Sequence, residues 1–206
     1  MVLKHVLWLG GSPCSGKSSI AELLTERHKF AYYKCDDHFE AHQKRATPPD
    51  HPAFYKLNTM TWDDLWMRPV AEQLADEIAI YRESFGMILD DLREFPPEQL
   101  ILAEGCALLP EFVAPLLSSP SSAIWVVPTP EFQVAHYRQR PWIQHILHEC
   151  RDPAQAFQNW MDRDIGYGQT ILQQAAAAGF NTIVVDGQQS ISKNAALVEA
   201  HFGLSG

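Results

Sequence analysis

The chain has 206 residues, an apolar fraction of 46% and a formal net charge of −9. That length suits one α/β domain with a sizeable core and room for an inserted subdomain. The negative charge speaks against non-specific nucleic-acid binding, which needs a basic surface, and equally against an anionic membrane surface.

His5 to Leu9 is an apolar run and reads as a buried strand. It opens into Gly10 and Gly11, and residues Gly11 to Ser18 spell G-x-x-x-x-G-K-S, the phosphate-binding loop pattern. Glycines let such a loop curl until successive N–H groups point into one concavity. With the N-terminus of the next helix, that concavity holds phosphate oxygens. The predicted nucleotide-binding set is Gly11, Ser12, Pro13, Cys14, Ser15, Gly16, Lys17, Ser18 and Ser19. Lys17 would reach the β- and γ-phosphates, and the Ser18 hydroxyl would ligate Mg²⁺.

Lys17 to His28 is predicted as a helix, and Phe30 to Cys35 as a second strand ending in Asp36-Asp37-His38. Ala46 to Pro52, with Thr-Pro-Pro-Asp-His-Pro, reads as a loop. Thr61 is the expected N-cap of a helix with acids in its first turn, and Pro69 should restart or kink that helix. From Val70 apolar residues keep a helical spacing up to Phe95, where Pro96-Pro97 stops it. The region from 39 to 98 is therefore a helical insertion between strands.

Leu100 to Ala103 is the third predicted strand, ending in Glu104-Gly105, and Pro110 to Leu117 is a short helix. Ala123 to Val127 is the fourth strand, and Phe132 to Cys150 is helical around a break at Pro141. Asp152 or Pro153 opens a long helix to Ala178, with Gly179 as its C-cap. Asn181 to Val185 is the fifth strand, and Ser192 to Phe202 is the last helix. Five apolar strands alternating with helices predict a parallel sheet covered on both faces, with ligands at the carboxyl ends of the strands.

Several residues in that arrangement can carry chemistry. Asp36 or Asp37 could accept a proton from an acceptor hydroxyl or orient it, while the neighbour holds a water of the Mg²⁺ shell. The plain alternative is that both cap the next helix. Glu104 could contact Mg²⁺ through water, or could simply cap. Arg138, Arg140 and Arg163 could stabilise charge developing on a transferred phosphoryl group. Ion pairs with Glu131, Asp162 or Asp164 are their alternative. Asp37, His38 and His42 offer transition-metal ligands, but no third histidine is spaced to complete a site. Phe54, Tyr55, Trp62 and Trp66 give the insertion an aromatic character that suits an acceptor with a ring.

The four cysteines, Cys14, Cys35, Cys106 and Cys150, are scattered without a C-x-x-C pair, so neither a zinc framework nor a disulfide framework is indicated. The N-terminal apolar run is too short for a signal peptide or a membrane span, which predicts a cytoplasmic protein.

With these residues in place, the sequence resembles the P-loop small-molecule kinases, the group containing shikimate kinase, gluconate kinase, adenylate kinase and chloramphenicol phosphotransferase. The loop from Gly11 to Ser18 matches, and so does the aromatic second strand ending at Asp36. In shikimate kinase and chloramphenicol phosphotransferase an Asp there, with a Glu four residues on, belongs to the acceptor site. Asp36 and Glu40 reproduce that spacing. Asp186-Gly187-Gln188-Gln189-Ser190 is similar to the loop flanking adenine in these kinases, which adds Gly187 and Gln188 to the nucleotide set.

The resemblance implies a three-layer P-loop NTPase fold with a five-stranded parallel sheet in the nucleoside-monophosphate-kinase order 2-3-1-4-5. It implies an acceptor-binding insertion over 39–98 and a lid over about 131–151. It makes Asp36 the better base, with Asp37 second, and Ser18, Asp37 and Glu104 the Mg²⁺ set. Shikimate is not the expected acceptor, because no Arg follows Asp36 and the glycine cluster after the third strand is reduced to Glu104-Gly105-Cys106. The expected function is transfer of the γ-phosphoryl group of ATP, with Mg²⁺, to a hydroxyl of a small molecule, by a monomer or homodimer. One alternative is a nucleoside or nucleoside-monophosphate kinase using Arg45, Arg68, Arg82 or Arg93. Another is a regulatory NTPase module, although no N-K-x-D motif marks a GTPase switch.

Overall fold

The structure, a computed structural model, describes residues 3–204. Its strands are β1 (Val6–Gly11), β2 (Ala31–Lys34), β3 (Ile101–Gly105), β4 (Ala123–Pro128) and β5 (Thr182–Val185). They form one sheet in the order β2-β3-β1-β4-β5, and every pairing is parallel. This is the strand order that the resemblance implied.

Helix α1 (Lys17–His28) joins β1 to β2. Between β2 and β3 run α2 (Cys35–Arg45), α3 (Pro52–Lys56), α4 (Trp62–Trp66) and α5 (Val70–Arg93). The short α6 (Pro110–Val113) precedes β4. The β4–β5 crossover contains α7 (Pro130–Arg138), α8 (Pro141–His148) and α9 (Pro153–Ala178), and α10 (Ile191–His201) follows β5.

The central strands are buried along their whole length, as their near-continuous apolar sequences require. Alternate residues feed two separate core layers. Val6 and Trp8 of β1, with Ala123, Trp125 and Val127 of β4, pack with Phe85 and Ile88 of α5 and Tyr167 and Ile171 of α9. Leu7, Leu9, Ile124 and Val126 point the other way, onto Ile20 and Leu24 of α1 and Val198 of α10. The Trp125 indole is itself fixed, its Nε1 donating to the Leu108 carbonyl at 2.6 Å. Among the described residues no helix is long and apolar enough to cross a membrane.

Most predicted boundaries hold to within a residue or two, and the differences have physical causes. β2 ends at Lys34, so Asp36 and Asp37 lie in the first turn of α2 and not on a strand end. Acidic side chains suit a helix N-terminus, where unpaired N–H groups gather. The predicted loop ends early because Pro52 begins α3. Phe54 there is fully buried against Ile80 and Met87, and the Ala53 and Phe54 N–H groups donate to the Glu83 carboxylate of α5 at 3.0 and 2.7 Å. That cap comes from another element, so local sequence does not announce it. Thr61 caps α4 through a full capping box with Asp64. Pro69 starts α5 without kinking it, and the helix stops at Arg93, short of Phe95. Asp152 and Gly179 cap α9 as predicted, with Gly179 at φ 70°.

Candidate active site

The phosphate loop lies between β1 and α1, at the carboxyl edge of the sheet, because β1 is central and its last residue is Gly11. A side chain at Gly11 is impossible there. Its φ is 141°, and a Cβ would lie 1.9 Å from the Val126 carbonyl oxygen of β4. Gly16 caps α1 at φ 82°, and Cys14 is held at φ 64° although it is not glycine. Backbone strain of this kind, on the order of 1–3 kcal/mol, persists only where the surrounding structure holds it.

Lys17 is buried and reaches back over the loop. Its Nζ donates to the Ser12 carbonyl at 2.9 Å and lies 3.5 Å from both the Ser15 hydroxyl and the Cys106 sulfur. Burial opposes the lysine's charge, but the Cys106 sulfur, Glu104 and Asp36 favour it, and its pKa is raised. Lys17 is therefore fully cationic at neutral pH. Burial also pushes the Cys106 thiol up to about 12 and the Cys35 thiol well above its ordinary value, so both are protonated. Cys14, Cys35, Cys106 and Cys150 are all free.

A cleft beside this lysine is lined by Pro13 to Ser19 of the loop, Asp36 of α2, Glu104 of β3, Cys106, Tyr81 of α5, and Tyr137, Arg140 and Trp142 of the α7–α8 segment. Glu104 is buried and accepts from the Tyr32 hydroxyl at 3.0 Å. Burial raises its pKa despite Lys17, and hydrogen bonds from Tyr32 and Ser18 oppose the rise. Ser18 and Glu104 thus meet beside the lysine, which is the placement that a cation bound to phosphates needs. Gly187, at φ 87°, and Gln188 lie in the exposed loop after β5. That loop adjoins the phosphate loop, since a Cβ on Gly16 would lie 2.7 Å from the Ile191 side chain at the start of α10.

Of the predicted catalytic and metal-binding residues, the structure brings Lys17, Ser18, Asp36, Glu104 and Arg140 to one cleft, and leaves three elsewhere. Asp37 turns away, with a carboxylate oxygen 3.8 Å from Lys34 Nζ and most of its side chain in solvent. Arg138 is exposed, with its guanidinium 5.8 Å from the Phe157 ring. Arg163 does not close over the loop. It is partly buried one layer away, 3.2 Å from a Glu77 oxygen and 2.6 Å from an Asp164 oxygen, and it lies 4.8 Å from the Trp66 ring. Asp37 and Arg138 face solvent while Arg163 turns inward, and the helix face a charged residue occupies is not visible in a charged tripeptide. Ser12, predicted to contact nucleotide through the loop, has its hydroxyl buried toward α9 without a partner.

Arg163 belongs to a second cavity, of about 140 Å³, that sequence reasoning did not find. Its walls come from the insertion and from α9, and include Phe39, Leu57, Trp66, Gln73, Glu77 and Tyr81. Of the four aromatics expected to face an acceptor, only Trp66 lines this cavity. Phe54 is core, while Tyr55 and Trp62 are exposed. Trp66 stacks on Trp160, with ring centroids 3.9 Å apart. Tyr81 donates to Glu77 at 3.0 Å and Tyr137 donates to Asp164 at 2.6 Å. A continuous chain, Tyr81–Glu77–Arg163–Asp164–Tyr137, therefore ties the cavity wall to the α7–α8 segment. That segment is seated by Ile143, Leu147 and Trp160 in one apolar cluster. The other arginines offered for a second phosphate are engaged: Arg45 by Asp91, Arg68 by Asp76, Arg82 by Glu111 and Arg93 by Asp90.

Burial pushes the Glu77 carboxyl up to about 7, against the pull of Arg163 and with a further push from Asp164. Between the ordinary 4.5 and about 7, the folded chain keeps a proton there that the unfolded chain releases. Its contribution to stability is therefore present below pH 4.5 and is lost as pH rises through 7. Glu77→Gln removes that slope. Urea melts of both proteins at pH 4.5 and 7.5 should show their stability difference changing by on the order of 1–3 kcal/mol. A difference that stays constant with pH would contradict the assignment.

No protein-family model matches the sequence, and no curated protein matches it. Solved structures do match. Shikimate kinase from Bacteroides thetaiotaomicron aligns over 95% of this chain and 96% of its own, at 12% identity and a TM-score of 0.54. A protein from Thermus thermophilus aligns over 98% of both chains, at 15% identity and a TM-score of 0.51. Sheet order, loop and full-length alignment give the chain the P-loop small-molecule kinase-like fold.

Proposed function

We propose that this chain is an ATP- and Mg²⁺-dependent phosphotransferase that moves the γ-phosphoryl group to a hydroxyl of a small, ring-bearing molecule. One observation carries the reading: Tyr81 is a wall of both the phosphate cleft and the insertion cavity. The two spaces therefore adjoin, as a donor site and an acceptor site must.

The loop backbone from Gly11 to Lys17 binds the phosphates, and Gly187 and Gln188 flank the base. Lys17 carries positive charge at the point where the bridging oxygens gather. Ser18, with Glu104 through water, would hold Mg²⁺, which would offset the negative charge of the phosphates. Asp36 faces the cleft from the first turn of α2, and Phe39, one helical turn on, faces the cavity. A hydroxyl placed between them can give its proton to Asp36 as its oxygen attacks phosphorus in line. Arg140, from another element, supplies a second cation to the cleft, and the packed α7–α8 segment keeps water from competing as acceptor.

The cavity also describes the acceptor. A space of about 140 Å³ is close to the roughly 150 Å³ that accommodates one benzene-sized ring. Gln73 leaves its side-chain oxygen unpartnered, so the wall favours a donor such as a hydroxyl over a further acceptor.

Asp36→Asn is the discriminating variant. It keeps the shape and loses the base, so transfer to the acceptor should fall by about 10²–10⁴-fold while nucleotide affinity stays within a few-fold. Fluorescent-nucleotide titration and a coupled ADP assay read the two. Equal turnover in both proteins would favour a binding module without an acceptor.

A further inference from the structure

Outside the phosphate cleft, α2 and α5 bring together a cluster that local sequence left incomplete. His38 and His42 are one turn apart on α2, and Asp91 comes from α5. One ligand atom from each lies within 4.8 Å of the others. His42 Nε2 is 2.6 Å and His38 Nδ1 is 3.5 Å from the same Asp91 oxygen. The missing third ligand was never a histidine, and it was not Asp37. It lies 49 residues beyond His42 and is supplied by tertiary packing.

We propose that His38, His42 and Asp91 form a binding site for a divalent transition metal of the zinc class, separate from the phosphate cleft. Two imidazoles and one carboxylate are a borderline donor set that suits zinc, and they leave a fourth position for water. Ligand bonds of about 2.0–2.2 Å need donor atoms about 3.3 Å apart, so the present spacing requires only side-chain adjustment. Tyr33 donates to the same Asp91 oxygen at 2.7 Å and stacks on His38 with centroids 4.3 Å apart, so it orients both a carboxylate and an imidazole. A surface cleft lined by His38, Asp91, Glu94 and Phe95 gives an ion access from solvent. Arg45, 3.4 Å from the other Asp91 oxygen, is half-exposed and can swing out.

Such an ion would clamp α2 to α5. Because Asp36 stands in the first turn of α2, the clamp would fix the position of the proposed base from outside the reaction site.

The test uses the full chain, stripped with EDTA and kept in excess Mg²⁺, then titrated with Zn²⁺ against a chromophoric chelator. Mg²⁺ demands six oxygens and does not compete for imidazole. The expected result is one saturable site. His38→Ala is the informative variant, because it removes a ligand and leaves the buried His42–Asp91 pair intact. It should weaken binding at least about 100-fold, since loss of an outer partner alone costs about 10–100-fold. Zn²⁺ should also raise the melting temperature of the wild type and not that of His38→Ala. A double His145→Ala/His148→Ala control should bind like the wild type. Absence of a saturable site, or equal affinity in wild type and His38→Ala, overturns the proposal.

Discussion

Lys17→Met should lower acceptor-dependent ATP turnover by about 10²–10³-fold, the usual loss when one preorganised charge is removed from a reacting phosphate or oxyanion. Methionine keeps the apolar stem of the side chain and removes only the ammonium. Among the described residues lining the cleft, Arg140 is the one other cation. The loop backbone fixes Nζ through the Ser12 carbonyl at 2.9 Å, and Arg140 lies across the cleft on another element. Loss of the cation also leaves Glu104 and Asp36 facing each other without it. Glu104, already raised by burial, should take up a proton more readily. Melting temperature should therefore move far less than turnover. A variant that turns over ATP like the wild type would show that the cleft beside the loop is not where phosphate reacts.

The largest stability effect should come from Arg163. Arg163→Met leaves Asp164, fully buried, without its cation, and leaves Glu77 with Tyr81 alone. Breaking a buried pair by removing one partner costs about 3–5 kcal/mol, because a charge is left desolvated and unpaired. For a domain of this size each kcal/mol moves the melting temperature by about 2–4 °C, so a fall on the order of 10 °C is expected. Calorimetry of the variant measures it. Adding Glu77→Gln to Arg163→Met should recover part of the loss, since it removes one of the two carboxylates that the arginine serves. Full additivity of the two changes would mean that they do not share a network.

The two effects separate what sequence could and could not tell. β1, the loop and α1 are legible from local pattern, because an apolar strand, glycines at positive φ and a lysine at fixed spacing leave one arrangement. The same holds for the caps Thr61, Asp152 and Gly179, whose chemistry acts within one turn. Arg163 shows the limit. Its neighbours in sequence, Asp162 and Asp164, suggest an ion pair or a mobile finger equally well. Only the packing of α5 against α9 decides that it pairs inward with Glu77. α3 was missed for the same reason, since its N-terminal donors are satisfied by Glu83 of α5. The insertion cavity has no sequence signature at all. Its walls are drawn from α2, α3, α4, α5 and α9, and only Trp66 of the expected aromatics reaches it. Local pattern alone leaves Asp36 and Asp37 alike, the family resemblance favoured Asp36, and the first turn of α2 turns Asp36 to the cleft and Asp37 to Lys34.

Tyr81 lines both the phosphate cleft and the insertion cavity, the proposed donor and acceptor sites. ³¹P NMR of the protein with ATP, Mg²⁺ and a panel of small ring-bearing alcohols and nucleosides tests this directly. The prediction is that one class of acceptor gives a new phosphomonoester signal in step with ADP, and that this signal disappears with Asp36→Asn. ADP formed together with inorganic phosphate, at a rate indifferent to every acceptor and to Asp36, would contradict it.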